Sequence, residues 1–339
     1  MITVIIPARD GGAHLARCLE SIVHQDVDHE VEIVVVDSGS VDGSDALARS
    51  FGARVDRIEP ATFNHGAARN VGISHARGEI IVFISQDAYA VDLTWLRRLT
   101  APLNDDSMLA GVYGRQVAHD AANPSEVYFL DFLYGPNSRR QHAESVEQLS
   151  MSTTIFSNVN SAMRRETLSQ FPFVEDIIMS EDQEWSCRVL LAGMSIQYEA
   201  GAVVRHSHSY TLRQAFRRFF DSGVSAERSY LAGAAPAAGV LRREMRRYAK
   251  GELSWLWRTR RRRWIPYAAV YEMAKFSGLQ LGKRHRVLPV RFKRRMTALP
   301  NYWEQLPGYP KGVPGAPIGS SAPGESDERG SGETPWLEP

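Results

Sequence analysis

The sequence predicts an α/β protein whose first third is a parallel sheet with helices on both faces, followed by a basic helical extension and a tail without structure. Three observations carry this. Between Ile2 and Leu103, short apolar runs alternate with amphipathic stretches at the lengths of βαβ units. From Tyr210 to about Leu299 the pattern is helical and heavily basic. From Pro307 the composition collapses to Gly, Pro, Ser and Glu, with too few apolar side chains to offset the entropy of ordering.

Taken in order, ITVIIPA is a continuous apolar run and reads as a buried strand, and HLARCLESIVHQ reads as a helix. EIVVVDS is a second strand and SDALARSFG a second helix. RVDRIE is a short strand, GAARNVGISHA a helix begun through Gly66, and EIIVFISQ another apolar strand. In such sheets ligands bind beyond the carboxyl ends of the strands. The unusual residues fall there: Pro7 and Arg9, then Asp37 to Asp42, then Asp87. Residues 104–175 are less regular, with a polar, partly aromatic stretch (VYFLDFLYGPNSRRQ) before a strand at TTIFSNVNSAMRRE. EDQEWSCRVLLAG then forms a helix leading into the strand MSIQYEAGAVVRH. These boundaries divide the chain into 1–210, the basic helices of 211–306 and the tail of 307–339.

The composition of the 339 residues, 43% hydrophobic and 23% charged, supplies a sizeable core and excludes wholesale disorder, collagen and a disulfide scaffold. No run approaches the roughly 20 apolar residues that span a bilayer. The start passes straight into a strand pattern without the basic and apolar regions of a signal peptide, so a cytosolic chain is expected. Cys18 and Cys187 are too few for a disulfide framework and lack metal-site spacing, so both are expected to be reduced thiols. The net charge of +1 hides an asymmetry: residues 240–300 hold 18 Lys and Arg against three Glu, +15 there and −14 elsewhere. A split this sharp points to an anionic partner.

Four places carry residues suited to chemistry. VVVDSGSVDGS closes a strand on Asp37, whose carboxylate can accept from a base or ribose group while the following turn receives an anion; equally, Asp42 is a helix cap. The fingerprint GxGxxG is absent, which disfavours a dinucleotide-binding Rossmann enzyme. FISQDAYAVD delivers Asp87 to the sheet edge, where a carboxylate can hold Mg2+ or Mn2+ against a diphosphate, or cap a helix. SEDQEW sets Glu181 and Asp182 at a helix start, where acids are also favourable dipole partners. VVRHSHSY alternates His206 and His208 on one face at a strand end, a potential metal pair, though two histidines alone seldom make such a site. Asn158 and Asn160 are sugar-binding amides or turn formers, and Trp185 is an acceptor platform or, with more weight, core.

These four occur in one order along about 210 residues, and the stretches VIIPARDGGAHLARCLESIVHQ, EIVVVDSGSVDGS, FNHGAARNVGISHARGEIIVFISQDA and SEDQEWSCRVLLAGMSIQYEAGAVVRHSHSY resemble the family 2 glycosyltransferases. The resemblance covers residues 2–215 and implies the GT-A fold, a Rossmann-like mixed sheet with helices on both faces. FNHGAARN followed by SQDA is similar to the bacterial rhamnosyltransferase branch. What the resemblance implies is carried position by position. Pro7, Arg9 and Asp37 line the nucleotide pocket with Ser38, Asp42 and Gln86 beside them, and Asp37 accepts from the pyrimidine imide. Arg69 approaches the nucleotide or its phosphates. Asp87 is the last aspartate of the DxD metal motif, whose first acidic position is Ser85 here. His206 supplies a further ligand, with His208 a weaker candidate that faces the sugar. Asp182 is the catalytic base and Glu181 its supporting acid.

A base on one face of an activated donor implies a single displacement with inversion. The implied donor is dTDP-β-L-rhamnose; a UDP-hexose donor and an inactive sugar-nucleotide-binding homologue remain open, the latter because of Ser85. The implied acceptor is a hydroxyl of a glycan or a lipid-linked glycan in cell-surface polysaccharide or glycolipid synthesis. LRREMRRYAKGELSWLWRTRRRRWIPYAAVYEMAKF interleaves arginines with Trp255, Trp257, Trp264 and Tyr267, which suits the headgroup layer of an anionic membrane or, alternatively, docking on the acidic remainder of the chain. No nucleic-acid-binding module is recognised, so no nucleic-acid partner is expected.

Overall fold

Three strands that finish level with one another fix the position of everything else. The computed structural model describes residues 1–229 and 235–305; the tail of 307–339, expected to be disordered, lies outside the described residues. Strands β1 (Ile2–Ala8), β2 (Val31–Asp37) and β3 (Arg54–Arg57) are parallel, with helices α1 (Gly12–Val23) and α2 (Ser44–Ser50) between them. Helix α3 (His65–His75) leads to β4 (Ile80–Ile84), parallel to β1 on its other side. Register sets Ala8 beside Asp37 and Asp37 beside Arg57. One turn chemistry begins α3: the Asn64 side chain accepts from the amides of Gly66 and Ala67.

Beyond β4 the parallel order ends. The two-residue β5 (Tyr89–Ala90) is followed by α4 (Trp95–Asp105), β6 (Leu109–Val117), α5 (Pro124–Leu133), β7 (Arg139–Gln141), α6 (Met151–Thr154), β8 (Asn160–Arg164), α7 (Arg165–Gln170), α8 (Glu181–Leu191) and β9 (Ser195–Arg205). The sheet runs β3-β2-β1-β4-β8-β6-β9-β5, with β7 on β9; β8 is antiparallel to both its neighbours and β9 parallel to β6. The mixed sheet expected of the fold is therefore present. Two readings of the irregular middle change. The strand read across 153–166 is confined to β8, because Ser150 and Thr153 close a capping box that starts α6. The polar stretch at 127–141 is the end of α5 followed by β7.

Alternation along the strands feeds two cores. Ile2, Val4 and Ile6 pack under α1, α2 and α4 with Leu15, Leu19, Trp95 and Leu99. Ile5, Phe83 and Tyr113 face α3, α5 and α8 with Ala68, Leu130, Trp185 and Leu190. Each fully buried aliphatic side chain here contributes roughly 1.5–3 kcal/mol.

The basic region is helical as expected: α9 (Leu212–Ser225), α10 (Ala235–Arg258), α11 (Ile265–Lys283), α12 (Val290–Met296) and α13 (Tyr302–Gln305). α11 lies almost backbone to backbone on α9, since a Cβ at Gly278 or Gly282 would sit 2.3 Å from Phe216 O or 2.0 Å from Phe220 O. α10 meets α5 through rings, Tyr128 and Phe132 against Tyr248 and Trp255. Among the described residues that contact holds rings and no ion pair, and Lys275 pairs with Glu272 at 2.8 Å within α11.

Candidate active site

At the level ends of β1 to β3, Asp37 is buried, with Ser40 donating to its carboxylate through both hydroxyl and amide and Arg57 Nε 3.5 Å away. Ser38 is buried beside it, its hydroxyl without a partner among the described residues. Pro7 precedes the edge and the Arg9 guanidinium is exposed, so Pro7, Arg9, Asp37 and Ser38 share this corner of the sheet. Asp42 lies just ahead of Gly43, the N-cap of α2, and its carboxylate serves the turn: its Oδ1 accepts from Ser44 Oγ at 2.6 Å and Ser44 N at 3.0 Å, and those bonds hold its carboxyl below the usual range. Gln86 is scaffolding, pairing with the Arg9 backbone through bonds of 2.9 and 3.0 Å that fasten the loop after β1 to the loop after β4.

The short β5 pairs antiparallel with the end of β9, Tyr89 opposite Arg205, and that register brings Asp87 to the histidines. His206 Nε2 lies 3.6 Å from Asp87 Oδ1 and His208 Nδ1 3.6 Å from Asp87 Oδ2, with the two rings edge-on at 4.6 Å. These separations are longer than hydrogen bonds. One ligand atom from each of the three residues lies within 4.8 Å of the others. Burial pulls the His206 imidazole down to about 4 against the pull of Asp87, and burial lowers His208 as well. Both rings are thus neutral at neutral pH, the form that binds metal. Gln116 Oε1 lies 3.0 Å from His206 Nδ1; assigned from that contact, the proton is on Nδ1 and the Nε2 lone pair faces Asp87. One carboxylate and two neutral imidazoles form a set that could hold a divalent cation. Ser85 is engaged through its backbone, with Val159 O and Cys18 Sγ. The histidines are the nitrogen donors available where Ser85 leaves the metal motif with one carboxylate.

The acid pair opens α8 behind Ser180, which holds the left-handed conformation at φ 64°. Glu181 is buried and pairs with Arg69 at 2.8 Å. Burial pushes Glu181 up, but Arg69 and His65 together hold it below the usual carboxylate range. Asp182 is half-buried, and burial followed by repulsion from Glu181 raises it to about 7. Its Oδ2 accepts from Asn158 N at 3.2 Å. Arg69, expected at the nucleotide, is held by Glu181 and by the His65 carbonyl at 3.1 Å.

A hydrogen-bonded path joins the two centres. Gln116, which faces His206, donates to Ser157 Oγ at 3.0 Å, and the next residue, Asn158, donates to Asp182. The Arg218 charge on α9 reaches both, acting on His65 and Glu181 on one side and on His206 and His208 on the other. Gln116, Ser157, His65 and Arg218 were not singled out in the sequence. Gln116 lies on β6, a strand the sequence did not reveal, and Arg218 is one of many arginines on basic helices.

Asn160 is no sugar ligand: it accepts from Trp95 Nε1 at 2.9 Å and donates to the carbonyls of Arg115 and Ala202, wholly buried. Trp185 is core, 5.1 Å from the Phe156 ring. Both cysteines are free and buried. A cavity of about 440 Å3 lined by Val23, Glu32, Phe51, Arg54 and Arg77 lies at the opposite, amino-terminal edge of the strands.

The profile described as Glycosyl transferase family 2 matches residues 3–171. The O-antigen chain rhamnosyltransferase RfbN of Salmonella typhimurium is 34% identical over 316 residues, covering 90% of this chain and 96% of the relative. This chain belongs to glycosyl transferase family 2. Its similarity extends to the O-antigen chain rhamnosyltransferase WbaN of Salmonella anatum, 32% identical over 314 residues with the same coverage. Among solved structures the transferase is similar to the mannosyltransferase PcManGT from Pyrobaculum calidifontis in complex with GDP-Man and Mn2+, with a TM-score of 0.55 at 20% identity over 83% of this chain and 87% of that one. S. aureus TarS 1–349 gives 0.50 at 15% over 84% and 90%. At those identities the likeness shows the GT-A fold, and the protein is a family 2 glycosyltransferase with that fold.

Proposed function

We propose that this glycosyltransferase moves L-rhamnose from dTDP-β-L-rhamnose, with inversion, to a hydroxyl of a glycan or lipid-linked acceptor in cell-surface polysaccharide or glycolipid synthesis, on the cytoplasmic face of a membrane. The observation that carries it is the Asp182 carboxyl, raised to about 7 beside an Arg69-clamped Glu181 and joined through Asn158, Ser157 and Gln116 to the Asp87 centre. A general base works best when its pKa lies near the operating pH. Glu181 contributes by staying ionised, which keeps the proton affinity on its neighbour. The acceptor oxygen bonds to the anomeric carbon while the bond from that carbon to the diphosphate oxygen breaks, its electron pair leaving with the diphosphate. The hydroxyl proton passes to Asp182. A divalent ion held by Asp87, His206 and His208 supplies, when bound, positive charge against the departing diphosphate. Pro7, Arg9, Asp37 and Ser38 take the nucleotide, and the Ser38 hydroxyl, without a partner among the described residues, is available to it.

The donor is inferred from the two O-antigen rhamnosyltransferases that match the chain nearly end to end. Calorimetry and turnover with dTDP-rhamnose, UDP-glucose and UDP-galactose, each with and without Mn2+, test it. Binding and nucleoside-diphosphate release with dTDP-rhamnose alone are expected; turnover confined to a UDP-sugar would replace the donor.

A further inference from the structure

Helix α11 turns apolar side chains toward water. Its inner face, Ala268, Tyr271, Lys275, Gly278, Leu279 and Gly282, is buried against α9 and α10. The charge on that face is turned inward: Lys275 pairs with Glu272 and lies 4.5–5.5 Å from the rings of Phe129, Phe219, Tyr248 and Tyr271. The outer face carries Ala269, Val270, Met273 and Phe276 without a charge for about two turns, and Val270, Met273 and Phe276 are 44%, 61% and 48% exposed. A helix face bathed in water is ordinarily charged or polar, and contiguous exposed apolar surface marks a contact with something else.

What lies at the ends of the stripe says what that contact is. Arg260, Arg261, Arg262 and Arg263 precede it, all exposed and none ion-paired among the described residues, and Arg262 stacks at 3.7 Å over Trp257, itself 56% exposed. Exposed Arg284 and Arg286 follow it. An apolar stripe bracketed by cations is complementary to acyl chains edged by anionic headgroups. We infer that the outer face of α11 lies in the surface of an anionic phospholipid bilayer, with the arginines at both ends among the headgroups. No helix among the described residues is long and apolar enough to cross a membrane, so the contact is peripheral. The inference rests on the proposed reading of a lipid-linked acceptor, and it names the segment that meets the lipid. The aromatic residues that the sequence put forward are mostly engaged elsewhere: Trp255 lies on Tyr128 and Tyr267 stacks on Tyr271.

The test is co-sedimentation of the full chain with phosphatidylglycerol-rich and with pure phosphatidylcholine vesicles. The wild type is expected to bind the former, and to lose about tenfold in partitioning when salt rises to about 0.5 M. Met273→Glu with Phe276→Glu is expected to cut binding by at least about tenfold, as is Gln at residues 260–263. Thermal melts confirm that these surface variants fold. Donor hydrolysis should be unchanged in all of them, whereas Asp182→Asn should bind vesicles normally without transfer, so the two readings fail separately. Wild-type protein that ignores phosphatidylglycerol vesicles, or a double Glu variant that binds them fully, overturns the inference. So does a wild-type dimer in sedimentation velocity that the same variant dissolves, which would make α11 a contact between copies.

Discussion

The two acidic centres of this transferase use burial in opposite ways. Around Asp87, burial acts on bases, stripping His206 and His208 of their protons so that a carboxylate faces two neutral donors. Around Asp182, burial acts on acids, and Arg69 decides between them by holding Glu181 ionised while Asp182 rises. In the proposed function the same desolvation suits one centre to a cation and the other to a proton. Proteins tune neighbouring groups apart in this way when they must do two jobs in one cleft.

The comparison is broken most severely at Asp182. Asp182→Asn should lower kcat by about 10^3 while leaving donor affinity by calorimetry intact. The same change should raise the melting temperature at neutral pH. Because the folded carboxyl holds its proton more tightly than an unfolded one, its ionisation costs stability as pH climbs from the ordinary carboxylate range to about 7, and the amide removes that cost. An unchanged kcat would remove Asp182 from the mechanism. Asp87→Ala comes next: Mn2+ binding should vanish and transfer fall about 100-fold, while the acid limb of the pH profile is retained. In the wild type that limb should be half-risen near pH 7 and level off about a unit above it, because the base must be ionised to accept a proton. Arg69→Met sharpens the contrast, since Arg69 holds both carboxyls down. The limb should move to higher pH with roughly a tenfold loss of kcat at pH 7; a limb that stays in place would mean that Arg69 does not set the split. Smallest, Gln116→Leu should weaken Mn2+ about tenfold by freeing the His206 tautomer, with kcat at saturating metal little altered.

How much of this was legible follows from what kind of signal each part sends. The parallel strands announce themselves as unbroken apolar runs, and Asp37 and Asp87 stand out as the acids at or just past the ends of those runs. β6 is different. LAGVYGRQV contains two glycines that weaken a strand signal, and their reason is visible only in three dimensions: a Cβ on Gly114 would meet Ala202 O at 2.3 Å. Missing β6 meant missing Gln116. Arg69 shows the other limit. Its helix was read correctly, but an arginine has no way of declaring in sequence that a glutamate 112 residues later will pair with it. Asn160, likewise, looks like a ligand until its bonds to Trp95 and two carbonyls are seen. The basic helices gave their charge freely and their orientation not at all, since which side of α11 faces outward depends on the glycines that fit it to α9.

Ser157 and Asn158, adjacent in the chain, each hold one end of the traffic between the centres. Thermodynamics then makes the exchange mutual: whatever factor cation loading imposes on the proton affinity of the base, protonation of the base imposes on the affinity for the cation. Because a nearby cation lowers the proton affinity of a carboxylate, acid conditions and chelation would reinforce one another as inhibitors rather than act in parallel.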